Sequence, residues 1–236
     1  MKPQFIHLRV HTEYSLSDGI VRIPKLVEKC VQDEMPAIAV TDLNNLFGLI
    51  KFYNKAEASG VKPIVASDVW IADSEGAGVT PLVLIAKNDL GYRNLCQLIS
   101  STYSSQSGSV SPSISRQDLK KKSDGLIALS GGREGDIGKA LLVGNWAGAI
   151  ERLAFWSSIF PNTFYIEIQR TGREYEKEYN ASALELAAQE KIPVVATNYV
   201  RFLEREEFEA HEARVCIHQG RVLDDSRRQR LYSEEQ

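Results

Sequence analysis

Paired cysteines, long hydrophobic runs and a signal sequence are all missing from this chain of 236 residues. Its three cysteines, Cys30, Cys96 and Cys216, are odd in number and far apart, which indicates neither a disulfide framework nor a zinc site. We expect them to be buried free thiols. No run approaches the roughly 18 apolar residues of a membrane helix, and the N-terminal residues do not form a signal peptide. The sequence therefore predicts a cytoplasmic protein without a membrane contact.

The chain also has little net charge, since 28 lysines and arginines oppose 31 aspartates and glutamates. The resulting net charge of −3 excludes a general attraction to nucleic acid. One basic run, Arg227, Arg228 and Arg230, is expected to be a solvated tail that could reach phosphates only within a longer protein. Neither G-x-G-x-x-G nor a P-loop follows a predicted strand, so the sequence does not predict a nucleotide site of either kind.

Predicted strands and helices alternate along the chain. The strand-like apolar runs are residues 5–10, 37–42, 62–71, 81–86, 125–130, 163–168 and 192–197. Several are continuously apolar, which is typical of parallel strands covered by helices. Most end beside a polar residue, and in α/β barrels the C-terminal strand ends surround the site. The pattern predicts an α/β barrel-like domain with a polar rim, while an open doubly wound sheet remains an alternative.

Most segments between the strands have helical spacing of apolar residues, which we expect to face a core. In the first three helices these residues are Ile23, Leu26, Val27, Cys30 and Val31; Leu46, Leu49, Ile50 and Tyr53; and Leu95, Leu98, Ile99 and Tyr103. Pro24 fits the first turn of its helix, where an amide hydrogen is not needed. The serine-rich segment 104–115 can bury little apolar area and is expected to be an exposed loop.

The opening strand carries polar residues that could bind a metal. In "FIHLRVHTEYSLSDG" the alternation of a strand places His7, Arg9 and His11 on one face, and Asp18 follows. Two histidines and a carboxylate are common metal ligands. The alternative is a polar strand face with ordinary hydrogen-bond partners, and Arg9 between the histidines favours it.

Six blocks of sequence then occur in a recognisable order: "HLRVHTEYSLSDG", "TDLNNLFGLIKFY", "KPIVASDVW", "GLIALSGGREGDIG", "VVATNYVRF" and "AHEARVCIHQGRVLDD". The chain resembles, over nearly its whole length, the N-terminal polymerase and histidinol phosphatase (PHP) domain of bacterial DNA polymerase III alpha subunits, C-family replicative polymerases of the proteobacterial type. The resemblance implies a distorted seven-stranded (β/α) barrel. It also implies that residues 1–220 are the PHP domain and that residues 221–236 begin the connection to a polymerase core.

Active PHP domains hold a metal cluster, and the resemblance assigns its ligand positions to this chain. These positions are Arg9, His11, Asp18, Leu43, Asp68, Pro81, Gly132, Tyr199 and Arg201. Only His11, Asp18 and Asp68 could still bind a metal, whereas Arg9 and Arg201 introduce permanent positive charges. The resemblance therefore implies a degenerate site without a metal, in which arginine–carboxylate pairs have replaced the ions. Weakly bound Zn, Mn or Mg is the alternative.

The function implied is that of a non-catalytic scaffold in DNA replication, which docks the proofreading exonuclease subunit and supports the rest of the alpha subunit. The parent protein would be a DNA-directed DNA polymerase, a nucleotidyltransferase. Its catalytic carboxylates would lie beyond residue 236, so this part alone should neither synthesise DNA nor bind it without the full polymerase. The alternative is residual activity as a metal-dependent phosphoesterase, pyrophosphatase or proofreading exonuclease.

Three further features favour structural roles. Asp42 is expected to cap the turn after its strand and the helix near residue 44, rather than to act as a base. "GGREGDIG" predicts a glycine turn with Glu134 and Asp136 in the first helical turn, because these carboxylates would repel an anion at a helix N-terminus. His211 and His218 lie in a helical pattern and are expected to be structural or interfacial.

Overall fold

The computed structural model describes residues 5–72, 78–104, 112–225, 227 and 231–235. The helices in this part of the chain are α1 Ile23–Gln32, α2 Leu49–Ala58, α3 Asp89–Ser104, α4 Arg116–Lys121, α5 Asp136–Leu142, α6 Trp146–Ile159, α7 Glu176–Glu190 and α8 Phe208–Gln219, with short 3-10 helices at Glu13–Ser15, Gly132–Glu134 and Arg205–Glu207. Most of the predicted serine-rich loop lies outside the described residues, as do Arg228 and Arg230. No helix among the described residues is both long and apolar enough to cross a bilayer.

The strands are β1 Ala37–Val40, β2 Lys62–Ala72, β3 Val79–Ala86, β4 Leu126–Leu129, β5 Phe164–Gln169 and β6 Val194–Thr197, and their order in the sheet is β1-β2-β3-β4-β5-β6. The fold is α/β, as predicted. The chain divides into two compact units. The first comprises Met1–Val65, Arg170–Glu174 and Thr197–Gln236, and the second Ala66–Gln169 and Tyr175–Ala196. The expected domain boundary at residue 220 stays a prediction.

In the first unit, β1 pairs in parallel with the start of β2. The strand predicted at residues 5–10 is reduced to a single parallel bridge between Val10 and Val200, so the described residues contain six regular strands instead of seven. The carbonyl group of His7 still accepts a hydrogen bond from β1. However, the amide of Val10 donates to the hydroxyl of Thr41 instead of to a backbone carbonyl, which interrupts a regular ladder.

The helices of the first unit pack on one hydrophobic core. As predicted, α1 buries Ile23 and its periodic partners, although Val31 is half exposed. For α2 the expected stripe was confirmed for Leu46 and Leu49, which pack in the core, and was wrong for Ile50 and Tyr53, which are 68% and 40% exposed. The helix begins only at Leu49, and its buried positions are Leu49, Phe52 and Ala56. The buried face of α2 is therefore displaced from the one that the apolar pattern suggested.

In the second unit the strands pair in both directions, so the prediction of parallel strands holds for part of the sheet. β3 pairs antiparallel with both β2 and β4, and β4 pairs in parallel with β5. The connection from β2 to β3 is too short for the crossover that a parallel pair requires. Helix α3 buries Leu95, Leu98 and Ile99 as expected, but Tyr103 is 57% exposed.

Candidate functional site

The candidate site lies in the first unit and is organised by the Val10–Val200 bridge. Both valines are buried in the hydrophobic core. Because side chains alternate along extended chain, the residues on either side of each valine, Arg9 and His11 in one segment and Arg201 in the other, are directed to the opposite side of the bridge. Apolar bridge residues thus position charged neighbours inside the protein, where Arg9, His11 and Arg201 have no exposed surface.

The centre of the site is an ion pair between Arg201 and Asp18. Nη1 of Arg201 lies 2.6 Å from Oδ2 of Asp18, and the Asp18 side chain is only 12% exposed. Nη1 also contacts Nδ1 of His11, which lies 3.1 Å from Oδ1 of Asp18. Because a guanidinium has only donors and a carboxylate only acceptors, Nδ1 of His11 accepts from Arg201 in one tautomer and donates to Asp18 in the other. We call Arg9, His11, Asp18, Tyr199 and Arg201 the arginine–aspartate cluster.

Tyr199 places its aromatic ring between the charged groups of the cluster. The guanidinium carbons of Arg9 and Arg201 lie 3.7 and 3.8 Å from its ring centroid, and His11 approaches the ring edge-to-face. Such cation–π contacts contribute about 2 kcal/mol each when they are desolvated. Nε and Nη2 of Arg201 have no hydrogen-bond acceptor among the described residues, so stacking on Tyr199 partly compensates for lost hydration. Tyr199 has φ 54°, a left-handed conformation that is uncommon for a tyrosine.

Burial governs the ionisation of the cluster. Burial lowers the pKa of Arg201 to about 9, with the Tyr232 hydroxyl opposing this effect and the positive charge of Arg9 adding to it. A group with this pKa remains charged at neutral pH, so Asp18 faces a permanent cation. Arg201 thus supplies a cation beside a carboxylate and an imidazole, the types of ligand that would otherwise hold a metal ion.

These residues do not fit a metal cluster. His11 and Asp18 direct ligand atoms at a guanidinium, which repels a divalent cation, and the side chain of Leu43 has no ligand atom. A stable metal site needs several deprotonated ligands that converge on each ion. Across the described ranges, no group of three or more His, Cys, Asp or Glu side chains is arranged to hold a metal ion.

Four of the predicted ligand positions are not part of the arginine–aspartate cluster as defined above. Leu43 is half buried in the first unit, where its backbone amide donates to the hydroxyl of Ser15. The other three positions belong to the second unit. Asp68 is fully buried on β2, Pro81 lies on β3, and Gly132 has φ 63° in a short 3-10 helix. The first unit therefore brings together five of the nine positions in the arginine–aspartate cluster.

His7 does not share the environment of Arg9 and His11, contrary to the predicted alternation. His7 lines a cavity of about 250 Å³. Val10, which belongs to the hydrophobic core, lines the same cavity. The segment before Val10 is not a regular strand, so strict alternation does not extend back to His7. Burial lowers the pKa of His7, while the charge of Asp33 opposes this shift. A role for His7 beside the cluster is thereby excluded in this structure.

Asp42 has a structural role, but its partners differ from those predicted. Its carboxylate accepts hydrogen bonds from the amide and hydroxyl of Thr12, at 2.7 and 2.8 Å, and from the hydroxyl of Ser15 at 2.8 Å. It therefore holds the 3-10 helix that leads to Asp18 instead of capping a helix near residue 44. Burial raises the pKa of Asp42, and the hydrogen bonds from Thr12 and Ser15 lower it.

The glycine-rich stretch forms a turn, as predicted. Gly131 and Gly132 have φ 78° and 63°, which permits the tight turn before α5. The carboxylate of Asp136, the first residue of α5, accepts a hydrogen bond from the indole of Trp156 at 2.9 Å and pairs with Arg116 at 2.9 Å. An internal carboxylate occupies this helix terminus, which disfavours an anion site there.

Sequence reasoning missed two residues that adjoin the cluster, Arg173 and Tyr232. The guanidinium carbons of Arg173 and Arg201 lie 5.8 and 5.5 Å from the ring centroid of Tyr232. An aromatic residue within a polar tail was the only available signal. His211 is fully buried against the ring of Tyr232, which fits the structural role predicted for it, whereas His218 is exposed.

Comparison with known proteins identifies relatives over the whole chain. The family model described as "PHP domain" matches residues 7–171. DNA polymerase III subunit alpha of Pseudomonas aeruginosa is 48% identical over 237 aligned residues, and that of Escherichia coli K12 is 47% identical over 236. Both matches cover 100% of this chain and 20% of the relative. The chain therefore spans about a fifth of the length of these relatives.

Solved structures support the same fold. An amidohydrolase from Chromobacterium violaceum superposes with a TM-score of 0.57 and 13% sequence identity, over 89% of this chain and 96% of the other. At this level of identity the similarity concerns the fold alone.

Proposed function

The chain belongs to the PHP domain family, and we propose that it is the PHP domain of a cytoplasmic DNA polymerase III alpha subunit, where it acts in DNA replication as a scaffold without metal catalysis. Its similarity to alpha subunits extends over the entire chain, beyond the residues that the family model matches. In this proposal the domain supports the rest of the alpha subunit and docks the proofreading exonuclease subunit. Polymerisation and DNA binding belong to the longer protein.

The observation that carries the proposal is the buried pair of Arg201 and Asp18. A guanidinium lies 2.6 Å from the carboxylate and contacts His11, so both retained ligands of the first unit are committed to a cation of the protein itself. Breaking such a buried pair typically costs about 3–5 kcal/mol, because one charge then remains buried alone. Removing either partner alone therefore destabilises the domain, and a metal ion would compete with Arg201 for the same ligands.

Metal analysis tests the loss of the cluster. We expect the full chain, purified without chelator and dialysed, to contain well below one equivalent of zinc, manganese or iron by mass spectrometry. Two or more tightly held ions per chain would overturn the proposal. The Asp18→Asn variant serves as the control, since an ion bound at the cluster should disappear with this carboxylate, whereas an ion bound elsewhere should remain.

An activity assay separates the scaffold from a residual phosphoesterase. The full chain is incubated with manganese or zinc and with a phosphoester, pyrophosphate or single-stranded DNA, beside the variants Asp18→Asn and His11→Ala. His218→Ala is the matched control, because His218 is exposed. We expect no hydrolysis that depends on Asp18 or His11. Activity that both variants lose and the control retains would establish catalysis instead.

Docking requires a separate experiment. We expect the full chain to retain the proofreading exonuclease subunit in a pull-down, and the Asp18→Asn variant to retain it as long as the domain stays folded. Absence of binding by the wild-type chain would refute the docking function while leaving the metal result unaffected. The two parts of the proposal can therefore fail independently.

A further inference from the structure

Residues 231–235, which we call the closing strap, return to the arginine–aspartate cluster from a distant part of the sequence. The hydroxyl of Tyr232 donates to Oδ2 of Asp18 at 3.3 Å, the same oxygen that pairs with Arg201. We propose that the closing strap is an intramolecular lid, in which the side chain of Tyr232 shields the Arg201–Asp18 pair from solvent and from small anions.

The ring of Tyr232 is placed to act as a cover. Its centroid lies 4.7 Å from that of His211, with an interplanar angle of 87°. The guanidinium groups of Arg201 and Arg173 lie on the same ring at 5.5 and 5.8 Å. Tyr232 itself is only half buried, whereas Arg201 has no exposed surface. The tyrosine therefore lies between the buried pair and solvent.

Two further contacts fasten the closing strap to the first unit. The hydroxyl of Ser233 donates to the carbonyl of Thr171. Glu234 pairs with Arg205, whose Nε and Nη2 lie 2.8 and 2.5 Å from one carboxylate oxygen. Gly172 follows Thr171 and has φ 72°, a left-handed conformation that favours glycine.

These fasteners are weak enough for the closing strap to open without unfolding the unit. The side chains of Arg205 and Glu234 are 72% and 50% exposed, and exposed ion pairs contribute little because water and salt screen them. Short segments with few buried contacts open locally far more often than a core does. Opening would remove one hydrogen bond from Asp18 and expose the guanidiniums of Arg201 and Arg173. This inference does not rest on the proposed function.

Chemical modification of arginine tests the lid. The full chain is treated with phenylglyoxal, and the rate at Arg201 is followed by peptide mass spectrometry, with Arg116 of the second unit as internal reference. We expect Tyr232→Ala to raise the rate at Arg201 at least about tenfold, and Tyr232→Phe to raise it less, because the ring remains in place. An unchanged rate at Arg201 in Tyr232→Ala would overturn the proposal.

If Tyr232→Ala unfolds the chain, Arg116 reacts faster as well. A charge exchange between Arg205 and Glu234 on the surface then tests the lid instead. Glu234→Arg should raise the rate at Arg201 about threefold, since a surface pair is lost and two like charges meet. The double variant Arg205→Glu/Glu234→Arg should return the rate to that of the parent. Equal modification rates at Arg201 in the parent, Glu234→Arg and the double variant would contradict the lid. A double variant whose Arg201 reacts as fast as in Glu234→Arg would also contradict it, because the restored pair would then not hold the strap.

Discussion

Arg201 shows how a single residue determines the chemistry of a site. It is fully buried beside Asp18 and stacks on Tyr199, so its charge is held by an opposite charge and an aromatic face. A histidine at this position would leave Asp18 and His11 available for a metal ion. The arginine instead provides a fixed cation that needs no exchangeable ligand.

The Arg201–Asp18 pair predicts a strong energetic coupling. We expect Asp18→Asn and Arg201→Met each to lower the free energy of unfolding by about 3 kcal/mol, because each leaves a buried partner without its counterpart. The double variant should lose clearly less than the sum of the two. Urea denaturation measures all three.

The exposed pair Lys121–Asp118 provides the control for this cycle, because its side chains are 70% and 49% exposed. We expect Lys121→Met to change the free energy of unfolding by less than about 1 kcal/mol. Additive losses for Asp18→Asn and Arg201→Met would show that the two residues do not act as a pair.

At the scale of an element, α2 buries some of its apolar residues and exposes others. Phe52 has no exposed surface, whereas Ile50 is 68% exposed on the same helix. We expect Phe52→Ala to lower the free energy of unfolding by about 3–5 kcal/mol, and Ile50→Ala to change it by no more than about 0.5 kcal/mol. Chemical denaturation of both variants checks this. Similar losses of unfolding free energy in the two variants would show that Ile50 packs in the core, as the sequence pattern predicted.

Helix α8 should make stability depend on pH through His211. Burial lowers the pKa of His211 to about 4; the charge of Arg201 adds to this effect, and a hydrogen bond with the backbone of Asp18 opposes it. In the unfolded chain a histidine titrates near pH 6.5. As the pH falls from about 6.5 to about 4, the unfolded chain binds a proton that the folded chain does not, so stability is lost by up to about 1.4 kcal/mol per pH unit.

The variant His211→Phe should lack this part of the pH dependence, and His218→Phe should retain it, because His218 is exposed on the same helix. The free energy of unfolding measured between pH 4 and 7 distinguishes them. Carboxylates contribute equally to both variants. Parallel curves for the two variants would show that His211 is not held neutral in the folded state.

At the scale of the whole molecule, the chain has the fold of the PHP domain family, and a guanidinium lies beside His11 and Asp18. Because the protein supplies its own cation at the cluster, we expect a chelator or added zinc or manganese to change the midpoint of thermal unfolding by less than about 1 °C. Calorimetry of the full chain checks this. A rise of several degrees with metal would reveal a bound ion, since a ligand that binds only the folded state stabilises it.

Much of the fold follows from local patterns. The 3.6-residue period predicted the buried residues of α1, and the apolar runs located all six regular strands to within a few residues. In α2 the pattern failed in part, because it placed Ile50 and Tyr53 in the core, whereas tertiary packing buries Phe52 and Ala56. It gave the parallel direction of the β1–β2 and β4–β5 pairs but not the antiparallel direction of β3, because pairing depends on connections and partners that lie outside each strand.

By itself, the sequence determined that Arg9 and Arg201 carry fixed positive charges and have no atom that could bind a metal ion. That conclusion needs only residue identity, because a guanidinium cannot coordinate a cation. The tertiary structure alone decided that Arg201 pairs with Asp18, that Asp42 holds the turn before it, and that the hydroxyl of Tyr232 donates to Asp18. These partners are far apart along the chain, and only folding brings them to hydrogen-bonding distance.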